Sequence, residues 1–217
     1  MNLRARSIAG ATVAFAAVLM TTNAYSQAGS FRVDDEASNV HWRVYKAGAF
    51  SRFGHNHVIS VAGLNGQIDL AADGSADWSL QFEVGDLVVD DPELRRTYGE
   101  DFSSEPSEDD IAGTKRNMLS DTVLDGEQFS TIRLSGSQES GSLGAVELAV
   151  EVEMLGRVIN LTVPASVSVE GDSLVAEGEF SLQHSDLGME PFSVMMGALQ
   201  VGPQLDFSFS IHAVATR

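Results

Sequence analysis

The feature that most constrains this chain is the strict alternation of apolar and polar residues in its second half. Val146, Leu148, Val150, Val152 and Met154 alternate with positions that include Glu147, Glu151 and Glu153. After a turn at Gly156, the apolar positions are Ile159, Leu161, Val163, Ala165, Val167 and Val169. Asn160, Thr162, Pro164, Ser166 and Ser168 lie between them. A period of two sends successive side chains to opposite faces of a strand, so each ribbon has one apolar and one polar side. The same pattern continues through Leu174, Ala176, Gly178, Phe180 and Leu182, and again through Leu205, Phe207, Phe209, Ile211 and Ala213.

The first half carries it more weakly. Val40, Trp42 and Val44 form one apolar face, Leu64, Gly66, Ile68 and Leu70 a second, and Trp78, Leu80, Phe82 and Val84 a third. Ile132 and Leu134 begin a fourth. Counted together these give about eight strands joined mostly by short turns. Such one-sided strands need an interior, and closing the sheet removes its exposed edges. The expectation is an all-β fold: an antiparallel, eight-stranded, up-and-down barrel with a short helical excursion near residues 91–120. An outer-membrane barrel would turn its apolar face to lipid. Glu147, Glu151, Glu153, Glu177 and Glu179 would then crowd the lumen with few cations to pair them, at prohibitive cost. The alternation therefore reads as a water-facing barrel with no stable membrane insertion.

The excursion has its own signals. Asp91 followed by Pro92 suits an N-cap and first helical residue, with Gly99 placed to close the turn. Residues 100–110 are rich in acids and carry Pro106, which reads as a solvated, mobile loop. Ser107 with Glu108, Asp109 and Asp110 marks a second helix start. Ile111, Lys115, Met118 and Leu119 then share a helical face.

Arg4 and Arg6, the apolar run Ile8 to Leu19 and the small-residue tail Thr22 to Ala28 have the order of a secretory signal. Residues 1–28 are expected to be removed, leaving 29–217 as a single domain that is periplasmic or secreted. The net charge of −18 becomes still more negative without the two arginines. Such a surface repels phosphate backbones, so no nucleic acid partner is expected. There is no cysteine, which removes disulfides, thiol catalysis and thiolate metal sites. No Gly-x-Ser-x-Gly elbow or Gly-rich phosphate loop occurs, and the chain is read as non-enzymatic.

The most distinctive motif is Gly54-His55-Asn56-His57, opening the run Val58-Ile59-Ser60-Val61. If the strand already runs at residue 55, His55, His57, Ile59 and Val61 share a face, and Gly63 marks a bulge before the next register. Three readings stand for the histidines. They are a hydrogen-bonded pair at a barrel rim, a polar clamp for a headgroup oxygen with Asn56 and Trp42 nearby, or two ligands of a metal or haem site. The last needs a third ligand from His41, His184, His212 or a distant acid.

Several short pieces in order resemble the YceI-like family of exported lipid-binding proteins, over the whole chain after the signal. They are Phe31-Arg32-Val33-Asp34, Ser38-Asn39-Val40-His41-Trp42 and the Gly63 to Leu70 strand. Arg116-Asn117-Met118-Leu119, Val123-Leu124-Asp125, Phe129 to Leu134 and Ser185-Asp186-Leu187-Gly188 follow. Asn117 and Ser130 depart from the family pattern, and Gly-His-Asn-His looks like a subgroup feature. The resemblance implies a lipocalin-like barrel holding a polyisoprenoid chain.

An apolar strand face is first of all a core, and alternation alone does not separate a lined barrel from a filled one. With the resemblance, the candidate ligand contacts are Trp42, Phe53, His55, His57, Ile68 and Phe82. Met118, Phe180, Phe192, Met195, Phe207 and Phe209 complete the set. Gly66 and Gly178, at inward positions, are read as leaving room. Leu187 to Val201, with Met189, Phe192, Met195 and Met196, is either an adaptable lid or a plug. Arg95-Arg96 and Lys115-Arg116 either meet a pyrophosphate head or balance Glu93, Asp109 and Asp110. The leading expectation is a carrier of a hydrophobic or amphiphilic small molecule, an isoprenoid lipid or isoprenoid quinone. The alternative is a metal- or haem-linked redox accessory protein using His55 and His57.

Overall fold

Each strand of the second half pairs with the next, as one-sided ribbons with tight turns must. β7 (Thr131–Gln138), β8 (Gly144–Met154), β9 (Arg157–Glu170) and β10 (Ser173–Gln183) form an antiparallel meander. The structure is a computed structural model and describes residues 28–216. Residues 1–27, on which the export reading rests, lie outside the described residues.

The long β12 (Leu199–Ala215) follows β10 and closes the sheet. Its other edge meets two strands lying end to end, β1 (Gly29–Val33) and β2 (Asn39–Ala47). The next rows are also broken. β3 (His57–Ser60) pairs with β2, and β4 (Asn65–Leu70) pairs with β1. β5 (Ala76–Glu83) pairs with β4 and β7, while the two-residue β6 (Val88–Val89) caps β3. A short β11 (Ser193–Val194) pairs with the start of β12. The result is a closed, antiparallel, eight-stranded barrel, as the alternation implied.

The inside-outside assignment follows from charge. Val150, Val152 and Met154 are buried while Glu147, Glu151 and Glu153 face solvent. Phe31, Leu174 and Ala213 are almost fully enclosed and pack the end of the barrel away from the helices. No helix among the described residues is long and apolar enough to cross a membrane.

The helices cover the other end. α1 (Pro92–Arg96) is capped by Asp91, whose side chain accepts from the N–H groups of Glu93 and Leu94. α2 (Glu108–Met118) starts with a reciprocal capping box between Ser107 and Asp110. Two local expectations change. Gly63 sits in the connection between β3 and β4 with φ +71°, a turn rather than a bulge within one strand. The acidic stretch 100–110 is anchored, not loose: Phe102 is buried against Tyr45 and Tyr98 in a short helical turn.

The inward glycines also work differently from expectation. Gly178 stands opposite Phe209, Gly136 opposite Trp78, and Gly66 opposite Leu80. In each pair the large side chain lies over the glycine, where a Cβ would come within 2.7 Å of it. The glycines therefore seat three large side chains flat against the wall instead of opening space themselves.

Candidate functional site

A filled barrel hides every inward side chain, whereas this one does not. Trp42, Leu134, Leu148, Leu161, Phe180 and Phe207 all point inward yet remain only partly buried. They surround a hollow of about 630 Å³, within the range of small-molecule cavities. Its wall is overwhelmingly aliphatic and aromatic. Phe180 stacks on Phe207 with centroids 5.0 Å apart, and Phe209 meets Phe180 edge-on.

Of the residues singled out from sequence, Trp42, Phe53, Ile68, Phe82, Met118 and Phe180 line this hollow. So do Phe192, Phe207, Phe209 and both histidines. Met195 does not. It is 63% exposed, and Met196 beside it is fully exposed. Both adopt left-handed backbone, with φ of 53° and 54°, which turns the methionine pair outward from the segment. Met189, Phe192, Val194 and Leu199 of the same segment do reach the cavity, so it covers the mouth through residues on either side of the methionines.

The polar groups gather at the helical end. His57 opens β3, and His55 precedes the strand rather than belonging to it. Their rings lie 6.2 Å apart. His57 Nδ1 is 2.6 Å from Asp90 Oδ2, a carboxylate with no solvent exposure. Asp90 follows β6 with φ +59°, and this turn aims its side chain back under β3. It also accepts from the Val58 N–H at 2.9 Å and from Arg95. Burial pushes the Asp90 pKa up. The hydrogen bond from His57, the Val58 amide and the Arg95 contact outweigh burial and hold it below the ordinary carboxylate value.

Arg95 is fully engaged. Besides Asp90 it donates to the carbonyls of Asn56, Phe102 and Ser104. Asn56 in turn donates to the Asp101 carbonyl and accepts from the Lys46 N–H. Arg96 pairs with Glu93 at the surface. Arg95 is therefore committed to the protein itself, and Arg96 is not on the cavity wall. Neither Lys115 nor Arg116 is on the cavity wall.

His57 Nε2 faces Thr114 Oγ1 at 3.4 Å, and Thr114, Asn117, Asp109 and Asp110 of α2 also line the mouth. His55 Nε2 lies 3.8 Å from Asp110. As metal ligands the histidines lack a third partner. His41 is held by Asn39 and Tyr98, His184 by the Pro203 carbonyl, and His212 by Ser210. Among the described residues no group of three or more histidine, aspartate or glutamate side chains is arranged to hold an ion.

Asp90 and Thr114 were not among the candidates from sequence, and Arg95 was considered only for a pyrophosphate or for surface acids, not for Asp90. The one hint was an acid directly after the apolar pair Val88-Val89 and before the Asp91 cap.

No family model and no curated protein matches the chain. Solved structures do. BcnA of Burkholderia cenocepacia superposes with a TM-score of 0.59 at 11% identity, covering 84% of this chain and 99% of its own. A polyisoprenoid binding domain from Saccharophagus degradans gives 0.58 at 11% identity, covering 88% and 100%. The YceI protein of Campylobacter jejuni gives 0.51 at 6% identity, covering 73% and 85%. The resemblance read from the sequence thus holds at the level of the fold.

Proposed function

We propose that this chain is an exported, non-catalytic carrier of the YceI-like kind. It would hold a long amphiphile, an isoprenoid or isoprenoid quinone, with the tail in the barrel and the head at the histidine mouth. The observation that carries the reading is the ring of inward aromatics left half-buried around an apolar hollow that opens at the helical end. Transfer of apolar surface out of water contributes about 25 cal/mol per Å². An oily chain therefore gains most of its affinity with no polar contact, and the nearly unbroken apolar wall suits such a guest. The polyisoprenoid-binding domain of the same fold from Saccharophagus degradans supports the choice of ligand class. Export rests on the order of basic, apolar and small residues in 1–28.

The test is organic extraction of protein purified from its native host, followed by mass spectrometry. A co-purifying polyprenyl lipid is the expected result. Protein free of lipid but carrying a metal that is lost in His57→Ala would overturn the carrier reading in favour of a redox accessory role.

A further inference from the structure

We propose that the His57–Asp90 pair is an acceptor site for a hydroxyl-bearing headgroup, an alcohol or hydroquinone, and that the mouth disfavours phosphorylated heads. This rests on the carrier reading above and specifies the chemistry of the head.

Asp90 has no solvent exposure and is bonded to Arg95 and the Val58 N–H, so it sits there as a carboxylate. A carboxylate only accepts, so His57 Nδ1 must carry the proton that spans the 2.6 Å contact. In the neutral ring this leaves Nε2 as a lone pair. Its one protein neighbour, the Thr114 hydroxyl, is at a long 3.4 Å. The acceptor is thus under-used, fixed in direction by a buried carboxylate, and set where the aliphatic wall ends. An O–H donor arriving at the end of an apolar tail satisfies it, and a head lacking that proton leaves it unmet.

Charge decides against phosphate. Among the described residues, Lys46 is the one lysine or arginine on the cavity wall, and its ammonium already donates to the Gly54 carbonyl at 3.0 Å. Asp109 and Asp110 line the same mouth. A diphosphate would meet two carboxylates and a strongly acidic chain with little to neutralise it.

The experiment is displacement of an apolar fluorophore from the full chain by geranylgeraniol, its methyl ether and its diphosphate. The alcohol is expected to bind about tenfold more tightly than the ether, the size of one net hydrogen bond. The diphosphate is expected to bind more weakly than the alcohol. His57→Leu is expected to abolish the alcohol–ether difference while still taking up fluorophore. If no prenyl ligand displaces the fluorophore, the carrier reading itself fails. If all three displace it equally, that reading stands and the headgroup inference is overturned. Should His57→Leu not fold, the alcohol–ether comparison in the unmodified chain decides alone.

Discussion

The Phe180 ring lies flat on that of Phe207, centroids 5.0 Å apart and planes 7° from parallel, across directly opposed positions of β10 and β12. Both rings are only partly buried because the opposite side of the stack faces the hollow. Core Phe→Ala changes cost about 3–5 kcal/mol through the cavity they create. Here the cavity already exists, so Phe180→Ala is expected to cost only about 1–2 kcal/mol, mostly the lost aromatic pair. Urea denaturation measures it, and a cost in the full core range would mean the barrel is packed.

Arg95 and Asp90 are both enclosed and bonded to each other. Removing one partner of a buried pair strands the other charge, at about 3–5 kcal/mol. Arg95→Ala is expected to fall in that range by chemical denaturation. It should also free the carbonyls of Phe102 and Ser104.

Phe102 is the apolar anchor of an otherwise acidic loop. Phe102→Ala is expected to cost about 3 kcal/mol and to raise amide hydrogen exchange across residues 97–110. Exchange unchanged there would show that Arg95 alone orders the segment.

Two windows of pH dependence follow from the shifted groups. Burial and the nearby Arg43 charge lower the His41 pKa. The unfolded chain then takes up a proton near pH 6.5 that the native ring resists, so stability falls as pH drops below about 6.5. Asp90 and Asp206 act in the same direction, at lower pH. For both, burial alone would raise the pKa. The His57, Val58 and Arg95 contacts at Asp90, and Ser181, Tyr45, Gln204 and Arg43 at Asp206, bring it below the usual value. Their contribution is complete above the ordinary carboxylate range near pH 4 and is lost as pH falls through the lower native values. Denaturation midpoints taken from pH 8 to pH 3 should fall in two steps, and His41→Gln should remove its part of the first.

Much of this fold was legible because each strand of β8, β9, β10 and β12 meets water on one side. That prints Glu147, Glu151 and Glu177 between aliphatic residues at a period of two. The three broken rows were less legible, since β1, β3 and β6 are too short for alternation to register. Only its place after Val88-Val89 marked Asp90 locally, since its partners Val58 and His57 lie more than thirty residues earlier and meet it only when β6 caps β3. Phe102 was hidden by the acids around it. The hollow itself was invisible in the pattern, because an apolar face reads the same whether it touches a neighbour or empty space.

The most direct test of the central claim is to fill the lumen from the wall. Ala176 faces the cavity from β10, opposite Ile211 of β12 and Val167 of β9. In a packed core a change to tryptophan forces strain of about 1–3 kcal/mol or more. In a hollow barrel Ala176→Trp is expected to leave stability within about 1 kcal/mol of the original and to weaken geranylgeraniol binding at least about tenfold. Binding unchanged in a stable Ala176→Trp protein would contradict the account, since the chain would then be held somewhere other than inside the barrel.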